Sequence, residues 1–597
     1  MQFGSAFLRL FLALLLSALV SATQTKAGDR GTKSGISPAV AKLYADGMAA
    51  LNRQDLPAAR QYFERIVKST PGSPEARNLL GWVLMAQGEH DHAIAQFKAA
   101  IANKPSFVPA HINLGQALER AGKLAEAEAT FRKAIKLAPH EAEAHRGLGR
   151  LLSIRKQTDE ALSELKQAVQ LVPQRSDLND EYGSLLAQKG DHDAAAEFFE
   201  RALHLDPNYA PALLHLGVIR WQQHQLDEAA RNLEAARNLL PQNAQAHYYL
   251  ALVMDERGDR VIAIEGLRKA VELQPDFNDA QRRLGFLLQR TGKVDEAISA
   301  FRQTVRLEPQ DPETHNDLGL ALLQHGEADA AIAEFQTSAR LRPQDASFVE
   351  NLGVARMQKG DFDGAIRELE AALGLAPEKA DIHYNLGVAY KLKDKLPEAL
   401  SHLRRALEID PALADAHYTL GVTLWQQGNL SEAAAQLRAA TEAKPDYAEA
   451  YYTLGTVLKQ TADLPRAAAA LREAIRLQPE FAGAHLTLSS VLQQLGDVQA
   501  AAAERRIGDE ISKKNNNRQA AMFATNFGKK LLKSGDLEGA IKQLNTAIQA
   551  DSDFADAHFQ MGLALQQKGD DVGARQEFYK AEQIEAAQGK PPIKSIN

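Results

Sequence analysis

An all-α solenoid, built from about 16 helix-turn-helix repeats, is the fold class this sequence predicts. Three observations carry that expectation. The stretch Ala110–Pro139 recurs at a period of 34, so that Gly115, Ala127, Phe131, Ala134 and Pro139 become Gly149, Ala161, Leu165, Ala168 and Pro173. One more step gives Gly183, Ala195, Phe199, Ala202 and Pro207. Second, the proline slot runs without a gap from Pro71 to Pro479, and the glycine slot from Gly47 to Gly455 is broken only by Ala251. Third, a further glycine punctuates most periods midway, as at Gly88, Gly122, Gly190 and Gly258. Apolar spacing on either side of it is helical, as with Ala110, Leu114, Ala117 and Leu118 before Gly122.

Composition narrows the function classes. The chain of 597 residues carries a formal charge of −7, a small value for that length. No broad basic stripe of the kind that neutralises phosphates is present, so a nucleic-acid partner is not expected. There are no cysteines, which removes disulfides, thiolate metal sites and cysteine nucleophiles together.

The N-terminus has one basic residue, Arg9, followed by an apolar run from Leu10 to Val20 and then small residues. This reads as a cleaved export signal, residues 1–22, with cleavage after Ala22. The run is shorter than the roughly 20 apolar residues of a comfortable membrane span, so no stable span is expected after cleavage. An uncleaved anchor beginning near Phe7 is the competing reading. Residues 23–39, rich in Gly, Ser, Thr and charge, read as a flexible linker.

The main array of 14 repeats is expected over residues 40–512. Where it is present, the midway glycine ends the first helix as a C′ residue. Three residues later comes an N-cap type for the second helix, such as Asp91, Asp159, Asp193, Asp227, Asp295, Asp329, Asp363 or Ser431. Pro57, Pro397 and Pro465 hold the same slot and suit a first helical turn. The phased proline stops the second helix. Gly115 and Ala127 are placed where the two helices cross, with Phe131 and Leu118 beside the crossing. One helix pair cannot bury its apolar face alone, so neighbouring pairs must cover it. The regularity breaks at Arg505 and Gly508, and residues 513–520, starting KKNNNR, read as a polar joint. Two further repeats follow over 521–588, five residues out of phase, and 589–597 read as a tail.

The combination Leu114-Gly115, Ala127, Phe131, Ala134 and Pro139 at this period resembles the tetratricopeptide repeat. Runs such as Ala110-His111-Ile112-Asn113-Leu114-Gly115 also resemble the repeats of O-linked N-acetylglucosamine transferases, without any catalytic domain beside them. The resemblance implies helix pairs stacked into a right-handed superhelix. It also implies a concave groove lined by the first helices, in which protein or peptide segments bind.

Candidate chemistry is sparse. His111, His145, His247, His315, His383, His417, His485 and His558 share one slot, four residues before the glycine. Stacked slots lie a repeat apart, so these histidines are expected to pack rather than to gather round a metal ion. No HExxH, Walker glycine loop or GxSxG is present, and neither catalytic residues nor a cofactor is expected. The groove is the candidate site. Slots two residues before the glycine supply Asn113, His215, Tyr249, Arg283, Asn351 and Asn385. Slots five after it supply Gln188, Gln222, Gln324, Gln358 and Gln426. Amides both donate and accept, which suits the backbone of an extended peptide. Trp221 and Trp425 stand four after the glycine and are candidate anchors, tryptophan being common at binding hot spots.

The expected function is an exported, non-catalytic scaffold, periplasmic or extracellular, that binds protein or peptide partners through its groove. One alternative is a subunit of a polysaccharide-secretion or glycosyltransferase-associated envelope machine. Another is a cytoplasmic scaffold with an uncleaved N-terminus. The repeat pattern encodes no oligomeric state.

Overall fold

A computed structural model describes residues 37–588. The expected signal segment, nearly all of the linker and the tail from 589 lie outside the described residues. Within them are 31 helices and no strand, and no helix is long and apolar enough to cross a membrane. The first helix starts at Pro38, where Ser37 accepts the Val40 amide and so caps it.

The helices come in pairs, numbered here as repeats 1 to 16 in chain order. Repeat 3 is typical, with a first helix Val108–Arg120 and a second Leu124–Leu137. Within each unit second helices pack on the first helix of the next repeat, except between repeats 14 and 15. The chain divides into two compact units, one ending at Gly292 and the other beginning at Lys293.

The turn inside each pair needs a left-handed residue. Glycine supplies it at eleven places, among them Gly88, Gly122 and Gly190, all with φ between 73° and 92°. Five repeats lack that glycine, and Gln54, Lys156, His224, Asp394 and Ala462 take the same conformation at φ 57° to 61°.

The expected caps lie two residues too late. The N-caps of second helices that act through the side chain are Asp55, Asp191, Asp361, Asp463, Asp497, Asp536 and Asp570, each accepting the amide three residues on. Asp91, Asp159 and Asp329 sit instead in the first helical turn, where the helix dipole favours an acid. From there they reach the next repeat: Lys123 meets Asp91 at 3.1 Å, Lys189 meets Asp159 at 2.7 Å and Lys359 meets Asp329 at 2.5 Å. The slot tolerates a non-capping residue because its work is between repeats. Pro57, Pro397 and Pro465 occupy the first helical turn, as expected.

The helix crossing follows the small residues. A Cβ built on Gly115 would stand 2.7 Å from the Phe131 ring, and one on Gly149 would stand 3.2 Å from the Ala161 carbonyl. Where Ser489 replaces glycine, its hydroxyl donates to the Ala501 carbonyl at 2.7 Å, marking the same crossing. In repeat 7, where Ala251 fills the slot, a Cβ on Gly266 would lie 3.0 Å from the Ala251 Cβ, so the gap has moved to the second helix.

The polar joint expected at 513–520 is helical. Val498–Ser534 is one helix of 37 residues, joining the second helix of repeat 14 to the first of repeat 15. Between Gly508 and Gly528 there is neither proline nor glycine. Asparagine is a weak helix former but does not stop a helix, so three in a row leave it unbroken. Lys514–Glu480 at 2.8 Å and Arg518–Asp551 at 3.3 Å tie it to the inter-repeat turns on either side.

Candidate functional site

The slot-sharing histidines have a structural role. His111, His145, His247, His315, His383, His417 and His485 each place Nε2 at 2.9–3.3 Å from the carbonyl of the phased proline six residues earlier. His558 does the same with the Ser552 carbonyl at 3.0 Å. Where the slot lacks histidine, Arg77 donates to the Pro71 carbonyl and Asn179 to the Pro173 carbonyl. Proline cannot donate, and its carbonyl lies beyond the second helix, so this side chain supplies the missing partner.

The other ring nitrogen reaches the second helix of the same repeat. His145 meets Glu164, His315 meets Glu334, His485 meets Glu504 and His558 meets Glu577, all at 2.6 Å. The hydrogen bond that Glu164 accepts raises the His145 pKa above its ordinary value, against the opposing effect of burial. Burial and the neighbouring His383 lower that of His402. Among the described residues, no three His, Asp or Glu side chains gather in a metal-binding group.

First helices of successive repeats touch one another within each unit, as in repeats 2 and 3 and repeats 10 and 11, whereas the described second helices do not approach one another comparably. The first-helix side is therefore the inner side of each stack. On it, the slot two before the glycine lies at the seam between neighbouring first helices. Asn113, buried, donates to Asn78 at 2.9 Å. His215 meets Asp180, itself buried, at 2.8 Å. Asn351 donates to Asn316 at 2.8 Å and Asn385 to Glu350 at 3.0 Å. Each pair is separated by 35 residues, one more than the period. The seam thus pairs this slot with the one three before the glycine of the previous repeat. The sequence reading missed those partners; the signal was polar residues at an offset of period plus one.

Tyr249 and Arg283 use the same face differently. Tyr249 packs its ring 5.2 Å from Tyr248 and 6.1 Å from Trp221. Tyr248 in turn lies 4.8 Å from Phe277, and burial pushes its hydroxyl pKa up to about 12. Arg283 pairs with the buried carboxylate of Asp255.

The slots after the glycine are the accessible ones. Gln188, Gln222, Gln324, Gln358 and Gln426 are all exposed. Gln358 donates to the Leu323 carbonyl of the previous repeat at 3.2 Å. Trp221 and Trp425 are half-buried, and each indole N–H is held by the next repeat, by Glu256 at 2.7 Å and Gln460 at 2.8 Å. Trp425 also packs against an apolar core. The structure therefore brings Trp221 to Tyr249 in the first unit, and places Trp425 beside Gln460 in the second.

Comparison with known proteins agrees with this architecture. A tetratricopeptide repeat model matches residues 44–106, 112–176, 157–210, 282–346, 351–414 and 452–507. A second matches 185–251 and 392–458, and a TPR repeat model matches 528–569. No curated protein matches the chain. Among solved structures, MamA is 27% identical over 28% of this chain and 96% of its own, with a TM-score of 0.27. YrrB, described as a TPR protein with an unusual peptide-binding site, is 25% identical over 33% of this chain and 97% of its own, with a TM-score of 0.28. Yeast Tom70 is 17% identical over 78% of this chain and 96% of its own, with a TM-score of 0.36. With repeat models matching more than half of its residues in the register read from glycine and proline, the chain belongs to the tetratricopeptide repeat family.

Proposed function

We propose that this chain is an exported, non-catalytic scaffold that holds protein or peptide segments on the first-helix side of its repeats. The reading rests on one observation: exposed glutamines one residue beyond half-buried tryptophans whose indoles are already held in place. A held aromatic gives contact area with little ordering cost, and adjacent amides can donate to and accept from a bound backbone. The buried seam amides Asn113, Asn351 and Asn385 serve this face by fixing the spacing of neighbouring helices. Export is carried by the apolar run after Arg9 and the small residues up to Ala22.

A photo-crosslinking amino acid at Gln222 or Gln426 is expected to yield partner adducts in the native cell envelope, and one at the exposed second-helix positions Lys133 or Arg472 is not. Equal yields from both sides would defeat the placement. Trp221→Ala is expected to reduce the Gln222 adduct while the helical signal stays unchanged. Mass analysis of the purified mature protein is expected to show a chain beginning at Thr23; an intact Met1 would remove the export claim.

A further inference from the structure

The fused helix Val498–Ser534 leaves one repeat face uncovered. In every other repeat after the first, two first-helix slots are buried: the one five before the glycine, as Ala110 and Ile382, and the one before it, as Leu114 and Leu386. Second helices of preceding repeats pack on these first helices. Repeat 15 cannot be covered that way, because its first helix is collinear with the second helix of repeat 14. Its two slots hold Phe523, 78% exposed, and Phe527, 45% exposed, with Met522 beside them at 51%.

The first helix that starts the array is polar at the equivalent places. The first helix of repeat 1 has Lys42 and Asp46 in the same two slots. The second helix of repeat 14 exposes Arg505 and Asp509, and that of repeat 16 mixes Arg575 and Glu582 with exposed Val572 and Tyr579. Polar outer faces are what terminal repeats need for solubility. Repeat 15 departs from that rule, which marks its face as one that another helix covers.

Charge selects the occupant. From Ile511 to Ser534 there are six basic residues and no acidic one. Lys514, Arg518 and Lys529 are paired with Glu480, Asp551 and Asp556. Lys530 lies three residues past Phe527 and seven past Phe523, so it extends the same helical stripe, with Lys533 one turn further. Two copies meeting through this face would set one wholly basic stretch against another.

We propose that repeat 15 is a docking site, separate from the first-helix binding face, for an amphipathic helix of a partner protein with acidic residues flanking its apolar stripe. The guest helix takes the place that a preceding second helix fills elsewhere, covering Phe523 and Phe527 and pairing with Lys530 and Lys533. Groove-type recognition of helices works through apolar anchors at such spacing.

The test uses the full chain and two labelled 18-residue helical peptides with leucines on one stripe, one flanked by glutamates and one by lysines, read by fluorescence anisotropy. The acidic peptide is expected to bind at least tenfold tighter than the basic one. Phe523→Asp with Phe527→Asp should weaken it at least tenfold, and Lys530→Glu with Lys533→Glu should invert the preference between peptides. Trp221→Ala and Trp425→Ala should leave its affinity unchanged. Equal binding of both peptides, undiminished binding to the double aspartate variant, or loss only in the tryptophan variants would overturn the proposal. So would light scattering that shows a dimer converted to monomer by the aspartates, since the occupant would then be a second copy.

Discussion

Gly147→Ala is expected to loosen the junction of repeats 3 and 4, although alanine is the better helix former. Gly147 lies in the helix Ala142–Ile154, and an added Cβ would stand 2.3 Å from Cε1 of Phe131. That ring is fully buried and its same edge, Cε1, Cζ and Cδ1, already abuts Gly115 of another helix, where a Cβ would stand 2.7 Å away. It cannot retreat from one helix without pressing on the other. Helix propensity returns about 1 kcal/mol, and overpacking a filled core costs about 1–3 kcal/mol. With two helices already close against the ring the upper part of that range applies, so the net loss is about 1–2 kcal/mol. A long repeat array does not unfold in one step, so a global midpoint is the wrong readout. Hydrogen exchange should show amides of residues 124–137 and 142–154 opening about 5–30-fold more often. Gly374→Ala is the control. Gly374 sits in the helix Phe362–Leu375 with nothing within 4 Å of an added Cβ, and alanine there should stabilise by up to about 1 kcal/mol. If Gly147→Ala protects its repeat as Gly374→Ala does, the crossing argument is wrong.

Other expectations follow from the same geometry. Ala462→Gly should slow local exchange by relieving a left-handed alanine at φ 61°, a gain of about 1 kcal/mol, whereas Gly122→Ala should cost a similar amount; opposite signs in both would reject the strain. The His145 pKa is raised in the folded state, so the stability it gives is fully present below its unfolded value of about 6.5 and is lost as pH rises through the folded value. The protection difference between wild type and His145→Gln in repeat 4 should therefore shrink from pH 6 to pH 8; a difference that grows would contradict the Glu164 bond. Asn516→Pro should break the fused helix, at a local cost of about 3 kcal/mol, and raise exchange between 509 and 520 while repeats 15 and 16 keep their protection. Simultaneous loss of protection in repeat 16 would mean that the continuous helix holds the C-terminal repeats together.

Much of the fold was legible because steric requirements leave residue-type marks. A left-handed turn leaves glycine at Gly122, a helix stop leaves proline at Pro139, and a close crossing leaves Gly115 against Phe131. The caps were misplaced because aspartate suits both the cap and the first turn. Only geometry separates Asp191, which accepts an amide, from Asp159, which reaches Lys189. The helical character of KKNNNR was hidden because polarity signals solvent exposure but does not stop a helix. The seam was hidden for another reason: the slots two before and five after the glycine are seven residues apart and share one helical stripe, so phase cannot tell which end of that stripe a neighbouring first helix covers. Asn113 and Asn385 fell in the gap, Gln222 and Gln426 in the open.

The seam has a consequence for how such a chain can lengthen or shorten. A period of 34 residues makes every repeat look interchangeable in its steric residues, yet the seams are not all alike. Arg146 meets Glu181, Asp180 meets His215, and Asn316 meets Asn351. Cutting out repeat 6 cleanly would join repeats 5 and 7 with glycine and proline still in step. It would also set the buried Asp180 carboxylate against Tyr249 instead of His215. A lost partner for a buried charge costs several kcal/mol. Seam chemistry therefore works as an ordering code, so a recombination event must carry both halves of a pair, and duplicated blocks are best cut in the open face rather than at the seam.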